Sequence, residues 1–322
     1  MKIIELFAGA GGIAKGFTDA GNVIVWANDN NKDAVKTYIR NMKPTHPVIC
    51  GDVWTALEGD LPDCDCVVGG SPCQSYSLAN LNRTGNDDRS FLYRALILAA
   101  KKTNAKFVMM ENVAGIESVG EGKVLPRILK DFEDGGYNIA YTIINAKHFE
   151  TSQNRPRFIA LAWRKDLKEI IIPLLDKCVK NKPHRNLSIS NFCESTLTLR
   201  DAIGDLPEEP DDSIPNHTGS TCKVKINNHV GNRATDWNKI APAVLGRGAG
   251  GGGPLIAPHP NGKRRMTCRE CARIQTFPDD FIFEGANSSV YRQIGNAVPV
   301  KLAYHLGLWL KQIEDASATK RP

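Results

Sequence analysis

Two side chains capable of covalent chemistry follow apolar runs of the sequence, Cys73 in "GGSPCQSYS" (69 to 77) and Glu111 in "MMENV" (109 to 113). A cysteine attacks as the thiolate, and a carboxyl group buried beside an apolar run keeps its proton to higher pH. Together they suit conjugate addition to an electron-poor ring: the thiolate adds while the acid meets the charge developing on a ring nitrogen. Taken singly, Cys73 is also typical of a buried structural cysteine and Glu111 of a capping carboxylate, so the pair carries the hypothesis.

A thiolate needs positive potential close by, and two arginine-containing segments are candidate sources. They are "DDRS" (87 to 90) and "QNRPR" (153 to 157). Pro72 directly precedes the cysteine. Its ring fixes its backbone φ and it has no N–H donor, so the directions in which the Cys73 thiol can point are restricted. We therefore expect a reactive loop between the strand that ends near Gly70 and the helix that follows it.

A second group of residues indicates a nucleotide-like ligand. Gly9, Gly11 and Gly12 in "ELFAGAGG" follow the first predicted strand, where residues without a side chain permit a tight turn and a close approach of ligand to backbone. Gly9, Gly11 and Ala14 also fit the loose G-x-G-x-x-G/A dinucleotide pattern. On this motif alone a nicotinamide-dependent enzyme stays open, as do glycines that only turn the chain.

Two acidic residues follow strands: Asp29 comes after the second strand, and Asp52 comes after a short third strand that ends just before it. Asp29 stands where a carboxylate accepts hydrogen bonds from ribose hydroxyls, and Asp52 in "CGDVW" suits an adenine amino group better than a phosphate. S-adenosylmethionine offers the ribose and adenine but no pyrophosphate to bind at a helix N-terminus. This pair therefore favours S-adenosylmethionine as the cofactor.

The elements that must position these residues alternate along the chain. Short β-rich runs are followed by helical patterns, which predicts a parallel sheet with helices on both faces. The predicted strands are 2–6, 22–28, 65–70, 106–112, 138–146 and 157–163, and a helix is predicted over 89–103. The fold class is α/β, a Rossmann-like doubly wound sheet, and its carboxyl edge is where ligands of such folds bind.

The amino-acid composition and periodicity of the sequence change twice along the chain. From about residue 183 it becomes rich in proline, asparagine, serine and glycine, and a helical period returns in "NAVPVKLAYHLGLWLKQI" (296 to 313). We predict a catalytic and cofactor-binding domain over 1–182, a smaller irregular recognition domain over 183–285, and a C-terminal segment over 286–322 that returns to the first domain.

Composition limits the class of protein. The chain has 322 residues with 42% hydrophobic and 24% charged residues, enough for a large domain and a smaller one. Its nine cysteines, an odd number, fit reduced thiols better than a disulfide framework, and their spacing does not suit a metal site. Since no run approaches the roughly 18 apolar residues of a membrane span and glycines follow the N-terminus too soon for a signal peptide, we expect a cytoplasmic protein without a membrane partner.

The net charge of +6 makes polyanions plausible partners. Basic residues crowd together in "GKRRMTCRECAR" (262 to 273), and a glycine run, "GRGAGGGGP", begins at residue 246. The basic run suits phosphate groups of a polyanion, and the glycine run would let the backbone approach such a partner closely. A solvated basic face and a flexible linker remain the alternatives for them.

The ordered motifs resemble those of the DNA (cytosine-5) methyltransferases, the S-adenosylmethionine-dependent enzymes of bacterial restriction-modification systems. The match covers nearly the whole chain, with the variable module between the fourth and fifth motifs. The motifs are "FAGAGG" (7 to 12), "GGSPCQSYS" (69 to 77), "MENV" (110 to 113), "QNRPR" (153 to 157), "RECARIQTFPDDF" (269 to 281) and "QIGNAVPV" (293 to 300).

The resemblance implies residue roles. Cys73 attacks C6 of a flipped-out cytosine, Glu111 contacts N3 and the exocyclic amine, Arg157 lies beside them, and Arg155 supports the same loop. The cofactor contacts that it implies are Phe7, Gly9, Gly11, Gly12, Asp29, Asp52, Pro72, Leu92 and Asn296. For DNA contacts we assign Gln74, Ser77, Arg89, Arg247, Lys263, Arg264 and Arg265.

Two positions depart from the family pattern. Ala243 and Val244 stand where a threonine and an aliphatic residue are usual, which puts a phosphate contact through that hydroxyl in doubt, and Ser90 replaces a common glycine. The resemblance implies a monomer that methylates C5 of cytosine in duplex DNA, with a separate cognate endonuclease as a possible partner. The alternatives are the tRNA-modifying branch of the family, a catalytically silent DNA-binding homologue and, more remotely, the nicotinamide enzyme.

Overall fold

The strands of the protein form one large sheet and one small one. The structure, a computed structural model, describes residues 1–72, 91–167, 197–220, 223–227, 231–246 and 255–318. The strands are β1 Lys2–Leu6, β2 Val23–Asp29, β3 Val48–Cys50, β4 Cys66–Gly70, β5 Phe107–Val113, β6 Tyr137–Asn145, β7 Gln153–Asn154, β8 Pro156–Arg164 and β9 Ala241–Pro242. Within these residues the sheet order is β3-β2-β1-β4-β5-β8-β6, with β7 paired to β9 separately.

Helices connect and cover the strands. They are α1 Gly12–Asp19, α2 Lys32–Met42, α3 Val53–Ala56, α4 Arg94–Thr103, α5 Val124–Asp134, α6 Leu199–Ile203, α7 Cys268–Ile274, α8 Asn287–Asn296 and α9 Val300–Ala318. Tighter 3₁₀ turns occupy Ala114–Gly122 and Ala146–His148. The α/β class predicted from the alternating pattern is confirmed. None of the helices in the described ranges is long and apolar enough to cross a membrane.

The prediction of an all-parallel sheet is correct for β1 to β5 and wrong for the last pair. β8 runs antiparallel to both β5 and β6. A parallel neighbour requires a crossover of a dozen or more residues, whereas the chain between β6 and β8 holds only one short 3₁₀ turn and the two residues of β7. The short connection therefore forces β8 to return in the opposite direction.

Each face of the large sheet buries a separate apolar cluster. On one face, α1 and α9 contribute Phe17, Leu302 and Trp309, which pack with Ile3 and Val68 of the sheet. The other face packs against α4 and α5, and its cluster includes Leu96, Ile128 and Phe132. Strands covered on both faces are continuously apolar, as the run "CVV" of β4 is. The large sheet is thus fixed from both sides, and its carboxyl edge presents the loops.

A third apolar cluster lies beyond the large sheet. It gathers α6, α7 and α8 around Phe277, Phe281 and Phe283, and it also includes Ala10 and Val300. Capping boxes at Thr198 and Thr267 begin α6 and α7, so these short helices start at defined residues. The cluster therefore joins the loop-rich segment to the glycine turn after β1 and to the start of α9. The domain boundaries at 182 and 285 stay predictions.

Candidate active site

The turn after β1 presents main-chain groups at the carboxyl edge of the sheet. Phe7 has a φ of 57°, Gly9 of 55° and Gly11 of 94°, so the chain passes through the left-handed region that a phenylalanine rarely adopts. The ring of Phe7 packs against the same apolar cluster as Leu92, which precedes α4. Two of the predicted cofactor-contact residues, Phe7 and Leu92, thus both border this apolar cluster.

Asp29 is tied to this turn by its carboxylate. The amide of Gly9 donates to Oδ2 and that of Asn31 donates to Oδ1, both at 2.8 Å. Burial raises the pKa of Asp29 above its ordinary value, and these amide donors oppose the rise. A carboxylate oxygen keeps a second lone pair when it accepts one bond, so Asp29 remains able to accept from a ligand hydroxyl.

Asp52 begins α3 as its N-cap. Its Oδ1 accepts from the amides of Trp54 at 2.9 Å and Thr55 at 3.2 Å, which holds the carboxylate in place on the exposed side of the sheet edge. Gly12 is enclosed instead: a Cβ there would lie 2.5 Å from the carbonyl oxygen of Val298. Because Val298 closely follows Asn296, the end of α8 lies beside the glycine turn.

Glu5 is a buried acid that the sequence reasoning missed. It lies on β1 with no exposed surface, and burial raises its pKa from 4.5 to about 8, opposed by the amide of Ala14 and assisted by the charge of Asp29. The available signal was a glutamate flanked by apolar residues in "KIIELF". The cofactor end therefore carries two neighbouring acids that burial makes harder to ionise.

Glu111 and Arg157 form an ion pair at the ends of adjacent strands. Arg157 Nε lies 2.8 Å from Glu111 Oε1, and the two side chains are 10% and 13% exposed. Burial raises the pKa of Glu111, while the positive charges of Arg157 and Arg155 act against that rise. The structure thus brings together two of the predicted site residues, Glu111 and Arg157, whose catalytic roles stay predictions.

The approach to Cys73 is described only as far as Pro72. Asn112 donates through Nδ2 to the carbonyl oxygen of Ser71 at 3.2 Å and to its Oγ at 3.1 Å, so the strand end that carries Glu111 holds the start of this loop. Gly70, three residues before Cys73, pairs in register with Glu111. Cys73 itself, with Gln74, Ser77, Arg89 and Ser90, lies outside the described residues.

Arg155 binds main-chain carbonyls. Its Nη1 donates to Val244 at 2.5 Å, and its Nη2 donates to Gly295 at 2.7 Å and Ala297 at 3.0 Å. The side chain is 2% exposed. These contacts hold separate segments of the chain together, as expected of a residue with a supporting role.

Arg264 and Arg265, in the basic cluster over 262–273, form hydrogen bonds within the protein. Arg264 donates to both carboxylate oxygens of Glu270, at 2.9 and 2.7 Å. Arg265 donates to the carbonyls of Gly231 at 3.0 Å and Ile256 at 2.5 Å. Lys263 is exposed. DNA contacts by Arg264 and Arg265 stay predictions for which the structure offers competing internal partners, and Arg247 lies outside the described residues.

The cysteines of "CREC" lie inside α7. Cys268 and Cys271 are both buried in the third apolar cluster, and burial raises the pKa of Cys268 to about 12 and that of Cys271 as well. Neutral thiols packed in an apolar cluster are typical of structural cysteines. The pair thus has a place in the fold without a ligand.

The fold is α/β, and the candidate site lies at the carboxyl edge of a seven-stranded sheet. A protein-family model described as "C-5 cytosine-specific DNA methylase" matches residues 1–312 of the chain. The chain belongs to this family, and its enzyme class is accordingly DNA (cytosine-5-)-methyltransferase. The resemblance inferred from the motifs is confirmed.

Several relatives match along nearly the whole chain. "Type II methyltransferase M.MthTI" of Methanothermobacter thermautotrophicus is 35% identical, covering 97% of this chain and 97% of its own length. "Type II methyltransferase M.FnuDI" of Fusobacterium nucleatum is 33% identical, covering 97% of this chain and 94% of its own.

Solved structures share the fold at lower identity. A protein from an E. coli prophage, described as a DNA modification methyltransferase, superposes with a TM-score of 0.71 at 22% identity, covering 98% of this chain and 99% of that chain. DNMT2 of Spodoptera frugiperda gives 0.64 at 18% identity, covering 96% of this chain and 99% of that chain. These likenesses bear on the fold alone.

Proposed function

We propose that this protein transfers a methyl group from S-adenosylmethionine to C5 of a flipped-out cytosine in duplex DNA, through a covalent bond between Cys73 and C6. The observation that carries the proposal is the buried Glu111–Arg157 pair beside the strand end that leads to Cys73. An acid and a cation within reach of a thiol are the groups that addition to a pyrimidine ring needs.

The cofactor end fits S-adenosylmethionine. Phe7 offers a ring held by an unusual backbone conformation, and the turn through Gly9 and Gly11 leaves the backbone open to a ligand. Asp29 and Asp52 carry fixed carboxylates for the ribose hydroxyls and the adenine amine. When bound, S-adenosylmethionine supplies an electrophilic methyl group on a sulfonium sulfur.

The reaction is divided among side chains of this chain. The thiolate of Cys73 forms a bond to C6, and Glu111 holds a proton at N3 so that the electron pair displaced onto the ring is stabilised. Burial raises the pKa of Glu111 and so favours its protonated form, while the charges of Arg157 and Arg155 oppose the rise. After C5 has gained the methyl group, loss of its proton restores the ring double bond and releases the thiolate.

The target base has to leave the helix before this chemistry is possible. C5 and C6 are inaccessible within stacked duplex DNA, and extrusion costs a few kcal/mol that contacts elsewhere must offset. We assign those contacts to the recognition segment over 183–285 and to the exposed Lys263. The names of the Type II relatives support a place in a restriction-modification system. We propose in addition that the cognate endonuclease is a separate protein and that this chain acts as a monomer.

The first test uses the nucleophile. Cys73→Ser should lose more than about 99% of methyl transfer to plasmid DNA while still binding the cofactor, because a hydroxyl is a far weaker nucleophile than a thiolate. Labelled methyl groups on the DNA measure transfer, and calorimetry measures cofactor binding. Duplex DNA containing 5-fluorocytosine should trap wild-type protein as a stable adduct, because the fluorine cannot leave as the C5 proton does.

The control is Cys64→Ser, which alters a half-buried thiol that precedes β4 and donates to Thr103. It should retain activity and adduct formation. Full activity in Cys73→Ser would refute the proposal. Methylation of tRNA instead of DNA would assign the chain to the RNA-modifying branch, and absence of any adduct would indicate a silent homologue. Bisulfite mapping of plasmid DNA methylated in cells identifies the target sequence.

A further inference from the structure

A buried polar junction joins three segments that are distant in the sequence. We define the junction as the side chains of Gln153, Arg155 and Gln275, whose exposed fractions are 0%, 2% and 0%. Arg155 donates to the carbonyls of Val244, Gly295 and Ala297 at 2.5 to 3.0 Å. A single guanidinium thus fixes the segment after β9 to the end of α8.

The two glutamines extend the junction. Gln153 donates to Gln275 Oε1 at 2.7 Å and to the carbonyl of Ile274 at 2.9 Å. Gln275 in turn donates to the carbonyl of Ile294 at 2.6 Å. The main chain of β7 also pairs with β9, where Gln153 is opposite Ala241. The ends of α7 and α8 and the chain after β9 are therefore held against the strand that leads to β8.

One of these segments is the base of the glycine run. The residues around Leu245 pair with Leu255 across the run, and the backbones of Gly246 and Gly295 are in such close contact that a Cβ on either one would overlap the other segment. The side-chain oxygen of Asn296 lies over Gly246. The start of the run therefore has a fixed position on α8.

The other segment leads directly to the reacting groups. Arg157 follows Arg155 by two residues and pairs with Glu111 at 2.8 Å. Pairing of Val113 with Arg157 holds the start of β8 to the end of β5. Because the backbone between residues 155 and 157 is short and extended, displacement of Arg155 moves Arg157.

We propose that Arg155 is a positioning residue that holds the start of β8, and with it Arg157 of the Glu111–Arg157 pair, against the segment after β9 and the end of α8. This inference rests on the proposed function and goes beyond support of its own loop. A planar guanidinium presents five N–H donors in a fixed fork, whereas a lysine ammonium has the charge without that geometry.

The test is Arg155→Lys, which keeps the positive charge and removes the fork. We expect kcat for methyl transfer to plasmid DNA to fall at least about tenfold, because displacement of a reacting group by about 1 Å is enough for such a loss. KM for DNA and for S-adenosylmethionine should change less than about threefold, since neither ligand contacts Arg155 in this proposal. The rate of adduct formation with 5-fluorocytosine DNA should fall in parallel.

Arg269→Lys is the matched control. Arg269 is 0% exposed and also donates to three main-chain carbonyls, those of Pro215, Pro278 and Phe281, at 2.9 to 3.0 Å. Arg269 therefore binds a different set of carbonyls from Arg155. Its substitution should lower the melting temperature about as much as Arg155→Lys does while kcat stays within about twofold, since it breaks the same number of bonds.

The outcomes separate the role from general damage. Wild-type kcat in Arg155→Lys overturns the inference, and so does an equal loss of kcat in Arg269→Lys. Should Arg155→Lys fail to fold, Gly246→Ala replaces it, because its Cβ presses on Asn296 and on the carbonyl of Arg292 while leaving Arg155 intact. A lower kcat at unchanged KM for DNA in Gly246→Ala, measured at saturating S-adenosylmethionine because Asn296 is a predicted cofactor contact, supports this positioning role, and an unchanged kcat contradicts it. A wild-type protein that methylates no DNA refutes the proposed function itself.

Discussion

The absence of a side chain at Gly70 leaves room for the carboxylate of Glu111, the candidate acid. A Cβ at Gly70 would lie 2.8 Å from Glu111 Oε2, too close for the carboxylate to keep its place beside Arg157. The carboxylate is the far end of a flexible side chain, so it can turn away at little cost to the fold. Glycine at the end of β4 therefore serves the geometry of the site more than the stability of the sheet.

We predict that Gly70→Ala lowers kcat for methyl transfer by about 10- to 100-fold, because it displaces the acid by a fraction of its own length. The melting temperature should change by less than about 3 °C, since only a side-chain end has to move. Steady-state kinetics and a thermal melt measure the two effects. Gly59→Ala is the control, because a Cβ there meets nothing closer than 4.0 Å. Equal kinetics in the two variants would contradict this role for Gly70.

The basic residues show where sequence reasoning at this scale ends. The cluster over 262–273 has the composition of a phosphate-binding surface, and composition does not reveal what each guanidinium bonds. One partner of Arg264, Glu270, is six residues away, but Arg264 also reaches Glu208. Arg265 reaches Gly231 and Arg269 reaches Pro215. Such long-range carbonyl partners have no sequence signature, whereas Glu111 and Arg157 were found because each stands in a recognisable motif.

Among the elements, β1 carries an unusual acid. Glu5 has a pKa of about 8 in the folded protein, above its ordinary 4.5. The folded state therefore keeps a proton that the unfolded chain releases between these values. The stability that this group contributes is fully present below about pH 4.5 and is lost as the pH rises toward 8, by at most about 1.4 kcal/mol per pH unit.

We predict that Glu5→Gln reduces the loss of folding stability that accompanies rising pH. The melting temperature of the cofactor-free protein should fall less between pH 5 and about pH 8 in the variant than in the wild type, because glutamine does not ionise. Thermal melts at several pH values measure the difference between the two curves. Glu58→Gln, at an exposed carboxylate, should follow the wild-type curve. Parallel curves for Glu5→Gln and the wild type would show that burial does not hold the proton.

The elements themselves were largely predictable. The apolar runs at β1, β2, β4 and β5 are bounded by glycine or acidic residues, and the structure places strands within a residue or two of the predicted limits. The direction of β8 was not predictable from its own apolar pattern, because period and composition do not encode which way a strand runs. Only the short connection from β6 carries that information, and its significance depends on knowing which strands are neighbours.

For the whole molecule, the last helix completes the first core. Leu302, Leu306, Trp309, Leu310 and Ile313 of α9 are buried in the same cluster as Ile3 and Phe17 near the start of the chain. Each such side chain contributes about 1.5 to 3 kcal/mol by burial, and a typical domain has only about 5 to 15 kcal/mol of net stability. The two ends of the sequence are therefore parts of one folding unit.

We predict that deletion of residues 300–322 abolishes cooperative folding, because it exposes the sheet face and α1 to water. Loss of a thermal transition by circular dichroism, with aggregation on expression, is the expected result. Deletion of residues 319–322, beyond α9, should leave the transition within about 3 °C of the wild type. A truncated chain that ends at residue 299 and melts cooperatively near the wild-type temperature would contradict the prediction.

The antiparallel direction of β8 places Arg157 at the edge of the sheet where β5 ends. β8 has nine residues, a length of about 30 Å, so a parallel β8 would place Arg157 at the opposite edge, far from every loop that follows β1 to β5. Running backwards, the strand begins where its neighbours finish. The counter-charge of Glu111 is consequently anchored in rigid sheet backbone, and little reorganisation is needed when a substrate arrives.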